Sequence, residues 1–338
     1  MRILVTGGAG YIGSHAVKEL IEEGHKVIVL DNLSKGHQEA IDSKAQFIVG
    51  STSNLELLTQ RLKVHKIEAV MHFAADIEVA ESMENPQKYY QNNVTNTLTL
   101  LSAMKVSGVK KIVFSSTASV YGNPEQNPIR EEHNCFPINP YGRSKMMAEL
   151  MIQDFCNAYG IGYAILRYFN VAGASPDGKI GEDHHPESHL IPKILIAARD
   201  KKSIKIFGTD YPTPDGTCIR DYVHVIDLVR AHILALDAIK EREGQIYNIG
   251  SEKGFSVREV IAACEKVTKQ KIKTEETKRR EGDTAILVAS SAKIRRELNW
   301  EPEYPSIETI VEHAWKWHTS HPKGYEPQVP SRDMSNFH

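Results

Sequence analysis

An α/β fold is predicted, with a doubly wound parallel sheet followed by a smaller C-terminal α/β domain. Three observations predict it. Short apolar runs alternate with helical patterns through the first half of the 338 residues. Several of these runs are nearly continuous in Val, Ile, Leu or Phe, as parallel strands covered on both faces require. A glycine-rich segment, Val5-Thr6-Gly7-Gly8-Ala9-Gly10-Tyr11-Ile12-Gly13, joins the first run to the first helical pattern.

Taken in order, strands are expected at 3–6, 26–31, 46–50, 69–74, 111–116 and 163–168. The helix between the first two carries Ile12, Ala16, Val17, Leu20 and Ile21 on one stripe and stops at Gly24. Repeated βα units with short turns imply right-handed crossovers. A second helical pattern covers 86–105. A third begins at Asn139-Pro140, where Asn caps and Pro suits the first helical position. Beyond about residue 173 the alternation breaks. The stretches 181–188 and 209–217 are rich in Gly, Pro, Asp and His and read as loops, with helical stretches at 190–199, 225–238, 256–266 and 306–317. The expected division is a first domain over 1–173 and a mainly substrate-binding domain over 174–322, some segments of which return to the first. The polar, Pro-containing tail 323–338 is expected to fray.

Composition narrows the function. Lys+Arg of 41 against Asp+Glu of 43 leaves a formal charge of -2, so no bulk basic character points to nucleic acid. The 41% hydrophobic and 25% charged content is ordinary for a globular chain. No run approaches the roughly 18 apolar residues that span a bilayer. Arg2-Ile3-Leu4-Val5 begins the first strand at once, so no signal segment is expected. Cys135, Cys156, Cys218 and Cys264 lie far apart with no Cys-x-x-Cys pair, so reduced thiols in a cytoplasmic protein are expected.

Glycines at 7, 10 and 13 straddle the end of the first strand and the start of its helix. They let the backbone turn sharply, approach a pyrophosphate and pack the helix on the sheet. The helix N-terminus then offers free N–H groups and a positive dipole end. This is a Rossmann-type arrangement. Asp31 ends the next strand 18 residues after Gly13, where a carboxylate binds a ribose 2′-hydroxyl and repels a 2′-phosphate. NAD is therefore expected over NADP. The competing reading of Asp31 is a cap for the turn Asp31-Asn32-Leu33-Ser34.

The only Tyr-x-x-x-Lys is Tyr141-Gly142-Arg143-Ser144-Lys145, and on a helix that spacing puts both side chains on one face. Tyrosine has a pKa of about 10, so half ionisation near neutrality needs a shift of about 3 units, or roughly 4 kcal/mol. A neighbouring ammonium gives a drop of about 1–3 units. Lys145 therefore needs a second contributor, which the positive ring of an oxidised nicotinamide supplies. Ser115-Ser116-Thr117 ends a predicted strand, where a hydroxyl can bridge the substrate oxygen and the Tyr oxygen. With 13 tyrosines a chance match is expected, and the competing reading is a plain helix-surface pair.

Longer segments are more specific. They are Thr6–His15 around the glycines, Asp31-Asn32-Leu33-Ser34, His72-Phe73-Ala74-Ala75 and Asn92-Asn93-Val94. Further along come Ser115–Gly122, Tyr168–Ala174, Tyr211–Thr217 with Arg220-Asp221-Tyr222, and Arg279-Arg280-Glu281-Gly282-Asp283. On these the chain resembles the extended short-chain dehydrogenase/reductases over nearly its full length, and within them the UDP-hexose epimerase group.

The resemblance implies Tyr141 as acid/base, Lys145 as its pKa modifier and a ribose ligand, and Thr117 as the substrate's hydroxyl partner. It implies an NAD site built from Gly7, Gly10, Tyr11, Ile12 and Gly13, then Asp31, Asn32, Ser34, Gly36, Ser51 and Thr52. Phe73, Ala74, Ala75, Ile77, Asn93, Ser115, Tyr141, Lys145, Tyr168 and Phe169 complete it. Thr117, Tyr141, Asn170, His189, Leu190, Phe207, Arg220, Arg280, Asp283 and Leu287 would hold a small-molecule UDP-hexose. Arginine suits a diphosphate because its planar fork bonds phosphate oxygens in pairs. The implied reaction is NAD-dependent interconversion of UDP-glucose and UDP-galactose through a 4-keto intermediate, in galactose metabolism. A homodimer paired through helices near 86–105 and 140–158 is implied as well.

The chain departs from the family at three places. Gly50-Ser51-Thr52 lacks the acid that often holds adenine. Ala75-Asp76-Ile77 stands where many members have a glycine and a lysine. Leu287 replaces a bulky tyrosine of many glucose-selective members, leaving space for an N-acetyl group on carbon 2. Nucleotide-sugar 4,6-dehydratases carry an Asp-Glu pair after the active Thr, where this chain has Ala118 and Ser119. A non-catalytic NAD sensor on the same fold is the alternative of a different class. The cluster Glu182-Asp183-His184-His185-Pro186-Glu187-Ser188-His189 invites a metal reading, but a nucleotide-covering loop is preferred and no metal is expected. Trp315 and Trp317 are read as helix packing.

Overall fold

Seven parallel strands form the main sheet of the computed structural model, which describes residues 1–280 and 283–325. The strands are β1 Arg2–Thr6, β2 Lys26–Asp31, β3 Gln46–Val49, β4 Ala69–His72, β5 Lys111–Thr117 and β6 Gly162–Tyr168. They continue with β7 Asn170–Ala172, β8 Ser203–Phe207, β9 Ile219–His224, β10 Gly244–Ile249, β11 Gly254–Ser256, β12 Lys273–Thr277 and β13 Ile286–Leu287. The order β10-β6-β5-β4-β1-β2-β3 reverses direction of travel after β1, which is the doubly wound pattern.

Alternation along each strand feeds two cores. Ile3 and Val5 of β1 pack with α1 (Tyr11–Glu22) on one face, while Leu4 packs on the other with α2 (Leu55–Val64). Between β4 and β5 lie α3 (Val79–Glu84), α4 (Pro86–Tyr89) and α5 (Asn96–Ser107), and α6 (Pro140–Tyr159) precedes β6. Leu100, Leu101, Ala148 and Ile152 complete the second core. Later helices are α7 (Leu190–Asp200), α8 (Val225–Ala238), α9 (Val257–Thr268), α10 (Ala292–Leu298) and α11 (Ile307–Ser320). Leu228, Val229 and Leu236 of α8 enter the first core, and β10 extends the main sheet at β6.

The remaining elements form a second lobe. β9 pairs with β11, β13 and β7, and β8 pairs with β12. α7, α9 and α11 share a core with Ile194, Val260, Cys264 and Val311.

The structure differs from expectation in three places. The helix predicted over 86–105 is broken by a π-helical stretch, Tyr90–Thr95, between α4 and α5. A wider turn turns Asn93 inward, where its Nδ2 donates to Asp76 O and Ser144 Oγ, both at about 3 Å. Strands β7–β13 and helices α2, α3 and α10 escaped prediction. β7, β11 and β13 are very short, and β8 is partly and β12 largely exposed, so their apolar pattern is weak. β9 and β10 lie beyond the regular alternation of the first half. Of the tail, 326–338 lies outside the described residues, but Tyr325 is docked and not frayed. Its ring stacks on His37 and its N–H donates to Asp183 at 2.9 Å. Among the described residues no helix is long and apolar enough to cross a membrane, and all four cysteines are free.

Candidate active site

A cavity of about 460 Å³ opens at the carboxyl ends of β1, β2, β4, β5 and β6, where ligands settle in open parallel sheets. Gly7 sits at φ +74°, and a Cβ there would lie 2.5 Å from the Ala74 nitrogen. A Cβ on Gly13 would lie 2.1 Å from Gly7 O, so this glycine lets α1 pack on the turn. Gly10 is different. A Cβ there would meet only Gly7 O, at 3.4 Å, so no crowding by the protein demands glycine. The space beside Gly10 faces the cavity, at the first turn of α1, where no side chain caps the free N–H groups. A pyrophosphate fits that combination. Asp31 serves both of its readings. Its carboxylate accepts from Ala9 N at 3.0 Å and Leu33 N at 2.8 Å, and it also lines the cavity.

Most residues singled out from the sequence converge here. Tyr11, Ile12, Asn32, Ser34, Gly36, Ser51 and Thr52 line the cavity with the glycines and Asp31. Phe73, Ala74, Ala75, Ile77, Ser115, Tyr168 and Phe169 follow along the floor. Thr117, Tyr141, Asn170, His189, Arg220, Asp283 and Leu287 line the remainder. Arg220 lies 3.5 Å from Asp283, and Leu287 pairs with Arg220 across β13 and β9.

Five do not reach the cavity wall. Asn93 is buried in its bonds to Asp76 and Ser144. Leu190 packs into the second-lobe core. Phe207 carries the Arg280 guanidinium 3.9 Å above its ring, so these two stack on each other. Lys145 turns inward, its ammonium donating to Ser115 O at 2.8 Å.

The reactive pair is set by α6. Asn139 accepts from Gly142 N at 2.8 Å and Pro140 occupies the first turn, so Tyr141 begins the helix. Its phenol is nine-tenths buried and pushed up to about 12 by that burial; a hydrogen bond with Thr117 pulls it down and Glu78 pushes it up. This corrects the expectation of a phenol lowered by Lys145. Burial brings Lys145 itself down to about 7, against the pull of Glu149. Ser119 N donates to Thr117 Oγ1 at 3.1 Å, fixing that hydroxyl, and Ser115 bonds Tyr168.

The segment 181–189 straps the cavity. Lys35 reaches His185 O, His37 lies 3.1 Å from Asp183 O, and Ser188 donates to Glu78 at 2.8 Å. Within it His189 lies 2.8 Å from Glu182 and 3.0 Å from Glu187. Burial works against the His189 cation, but these carboxylates outweigh it and hold its pKa well above the ordinary imidazole value. Glu182 is correspondingly brought to about 2 by His189 and His184, despite its burial. Sequence reasoning passed over Lys35, Glu78, Glu81 and Thr284, which also line the cavity. It gave Asn92, Ser119, Glu182 and His184, further lining residues, no individual binding role although they stood in segments it singled out. Glu78 and Glu81 follow the end of β4, so the rule that ligands meet the loops after parallel strands could have flagged them.

The chain matches the NAD dependent epimerase/dehydratase family over residues 3–250. It belongs to that family. UDP-glucose 4-epimerase of Halalkalibacterium halodurans is 53% identical over 330 residues, covering 97% of this chain and 98% of that one. The crystal structure of UDP-glucose 4-epimerase from Bifidobacterium longum in complex with NAD+ and UDP superposes with a TM-score of 0.92. It shares 37% identity, with 96% of this chain and 100% of that one covered. The UDP-Glc/GlcNAc 4-epimerase of Campylobacter jejuni gives 0.82 and 43%, over 94% and 99%. The Rossmann-type fold and the NAD requirement of the family agree with the glycine cradle and with Asp31.

Proposed function

We propose that this chain interconverts UDP-glucose and UDP-galactose by inverting carbon 4, with NAD retained between turnovers. The observation that carries the reading is that the Gly10 cradle, Tyr141 and Thr117, and the Arg220–Asp283 pair open on one cavity. Its relatives' names support the same activity. NAD, when bound in the cradle, supplies a hydride acceptor and then a donor for carbon 4. Tyr141 Oη takes the carbon-4 hydroxyl proton and later returns it, and Thr117 steadies the shared oxygen. The 4-keto sugar stays tethered through UDP and presents its other face before the hydride comes back. Gripping the nucleotide while leaving the sugar free concentrates binding energy away from the reacting carbon.

A phenol at about 12 costs about 7 kcal/mol to half-ionise at pH 7, five units at about 1.4 each. The charge of the oxidised cofactor has to help meet that cost, so Tyr141 acts as a base only in its presence. Ala118 and Ser119 after Thr117 offer no acid for eliminating water, which disfavours a dehydratase. Leu287 at the cavity wall leaves room for a carbon-2 N-acetyl group, as the Campylobacter enzyme's name suggests. A homodimer belongs to the reading, because Leu98 and Val106 on α5 and Met147 and Leu150 on α6 expose apolar side chains.

The deciding experiment offers UDP-galactose and UDP-N-acetylgalactosamine separately, without added NAD, to the purified protein and to Tyr141→Phe. Both sugars are converted by the parent. The variant loses at least about 1,000-fold in turnover while keeping its NAD. Substantial turnover by the variant removes Tyr141 from its role, and conversion of UDP-galactose alone ends the argument from Leu287.

A further inference from the structure

The strap over the cavity has little backbone structure to hold it. Its start is pinned from outside: Gly181 N donates to Tyr325 Oη, and Trp317 Nε1 donates to Glu182 O, both at 3.0 Å. Its end enters α7 at His189. Between those points four side chains turn to one centre. Glu182, His184, Glu187 and His189 each present one liganding atom, and these atoms all lie within 4.8 Å of one another. Nδ1 of His184 lies 3.1 Å from Glu182 Oε1, and Nδ1 of His189 lies 2.8 Å from that same oxygen. The two imidazole rings stand 5.2 Å apart.

We propose that this centre binds one divalent transition-metal ion, zinc by preference, which clasps the strap over the dinucleotide cavity. Four donors about 2.0–2.2 Å from zinc stand about 3.3–3.6 Å apart at the corners of a tetrahedron. The three contacts of 2.8–3.1 Å need to open by about half an ångström. The wider pairs, all within 4.8 Å, need to close by about 1.3 Å at most, which side-chain rotation in the strap supplies. Two imidazoles with two carboxylates are a borderline donor set, which suits zinc and not magnesium or calcium. Binding releases to solvent any proton held on the imidazole Nδ1 atoms, and a 2+ ion neutralises both carboxylates without charging two adjacent rings. With Nδ1 on the metal, the Nε2–H of His189 stays free to donate into the cavity it lines. The ion is structural and takes no part in hydride transfer.

The test uses the full chain with its NAD, dialysed against a chelator and then titrated with zinc or, separately, cobalt(II). One equivalent of zinc per chain is expected, and cobalt gives the intense visible bands of a four-coordinate centre. His184→Ala and Glu187→Gln each weaken zinc by at least about tenfold. Uptake well below one equivalent, or variants that bind zinc as tightly as the parent, overturns the proposal. If a variant does not fold, the cobalt spectrum of the parent decides: weak six-coordinate bands, or none, overturn it. Metal binding is read without turnover, so its failure is distinct from failure of the epimerase reading.

Discussion

Glu78 is an acid that the reaction has to tolerate. It stands at the N-cap of α3 without capping it, and its carboxylate accepts from Ser188, a neutral partner. Most other acids of the cavity face a cation: Asp76 and Glu81 share Lys88, Glu182 has its histidines and Asp283 has Arg220, while Asp31 is held by backbone N–H groups. After burial, the charge of Glu78 is what raises the Tyr141 phenol. Removing that charge favours the phenolate, so Glu78→Gln should lower the pH at which kcat/KM reaches half its maximum on the acid limb. The Gln oxygen can still accept from Ser188, which keeps the strap in place. A pH–rate profile whose midpoint stays put or moves upward would clear Glu78 of any influence on Tyr141. Residues like Tyr141 were legible because a fixed spacing and a known chemistry announce them. Glu78 has neither, and only its position after β4 and its neutral hydrogen-bond partner Ser188 reveal it.

At the scale of elements, the glycine cradle separates packing from binding. Gly13→Ala places a methyl 2.1 Å from a backbone oxygen that cannot retreat, so α1 must shift off the sheet. Gly10→Ala meets the protein only at 3.4 Å, from an extended backbone that any residue adopts. Thermal melts should therefore find Gly13→Ala destabilised by about 1–3 kcal/mol, in line with overpacking elsewhere, and Gly10→Ala near the parent. Both should lose NAD, measured as cofactor retained on purification. Full retention by Gly10→Ala would mean that the space beside it is not the pyrophosphate's. The strands of the main sheet were readable up to residue 173 because runs buried on both faces leave unbroken apolar stretches. α2 and α3 were missed because α2 buries only Leu58 and Leu62 and α3 only Ser82. Asn139-Pro140 announced α6 for a local reason, a cap and a fixed φ. The π-helical stretch was invisible because one extra residue barely changes a periodicity averaged over twenty. The second lobe was read as helices and loops because strands such as Lys273–Thr277, mostly exposed, carry no apolar alternation.

The whole molecule has an apolar face and a buried histidine set, and each makes a prediction. Leu150 on α6 is half exposed beside Met147, and Leu98 and Val106 project from the neighbouring α5. If that face joins two copies, Leu150→Asp gives a monomer in sedimentation, and an unchanged mass rejects the face as the interface. The histidines act on stability. Burial holds His15 and His232 at about 4, His72 at about 3 and His224 at about 2, all below the ordinary 6.5. His72 is fixed between Thr6 and Thr97, 2.6 and 3.0 Å away, in a pocket suited to the neutral ring. As pH falls through 6.5 the unfolded chain takes up these four protons and the native chain does not. Their contribution is therefore whole above about 6.5 and is lost progressively as pH falls toward the native values. Each ring contributes a slope of about 1.4 kcal/mol per pH unit in that window, and four together about 5. Urea unfolding at pH 7.5 and pH 5.0, at fixed NAD, should show the midpoint falling steeply with acid. A midpoint that holds between those two values would mean that the four rings are already protonated in the native fold.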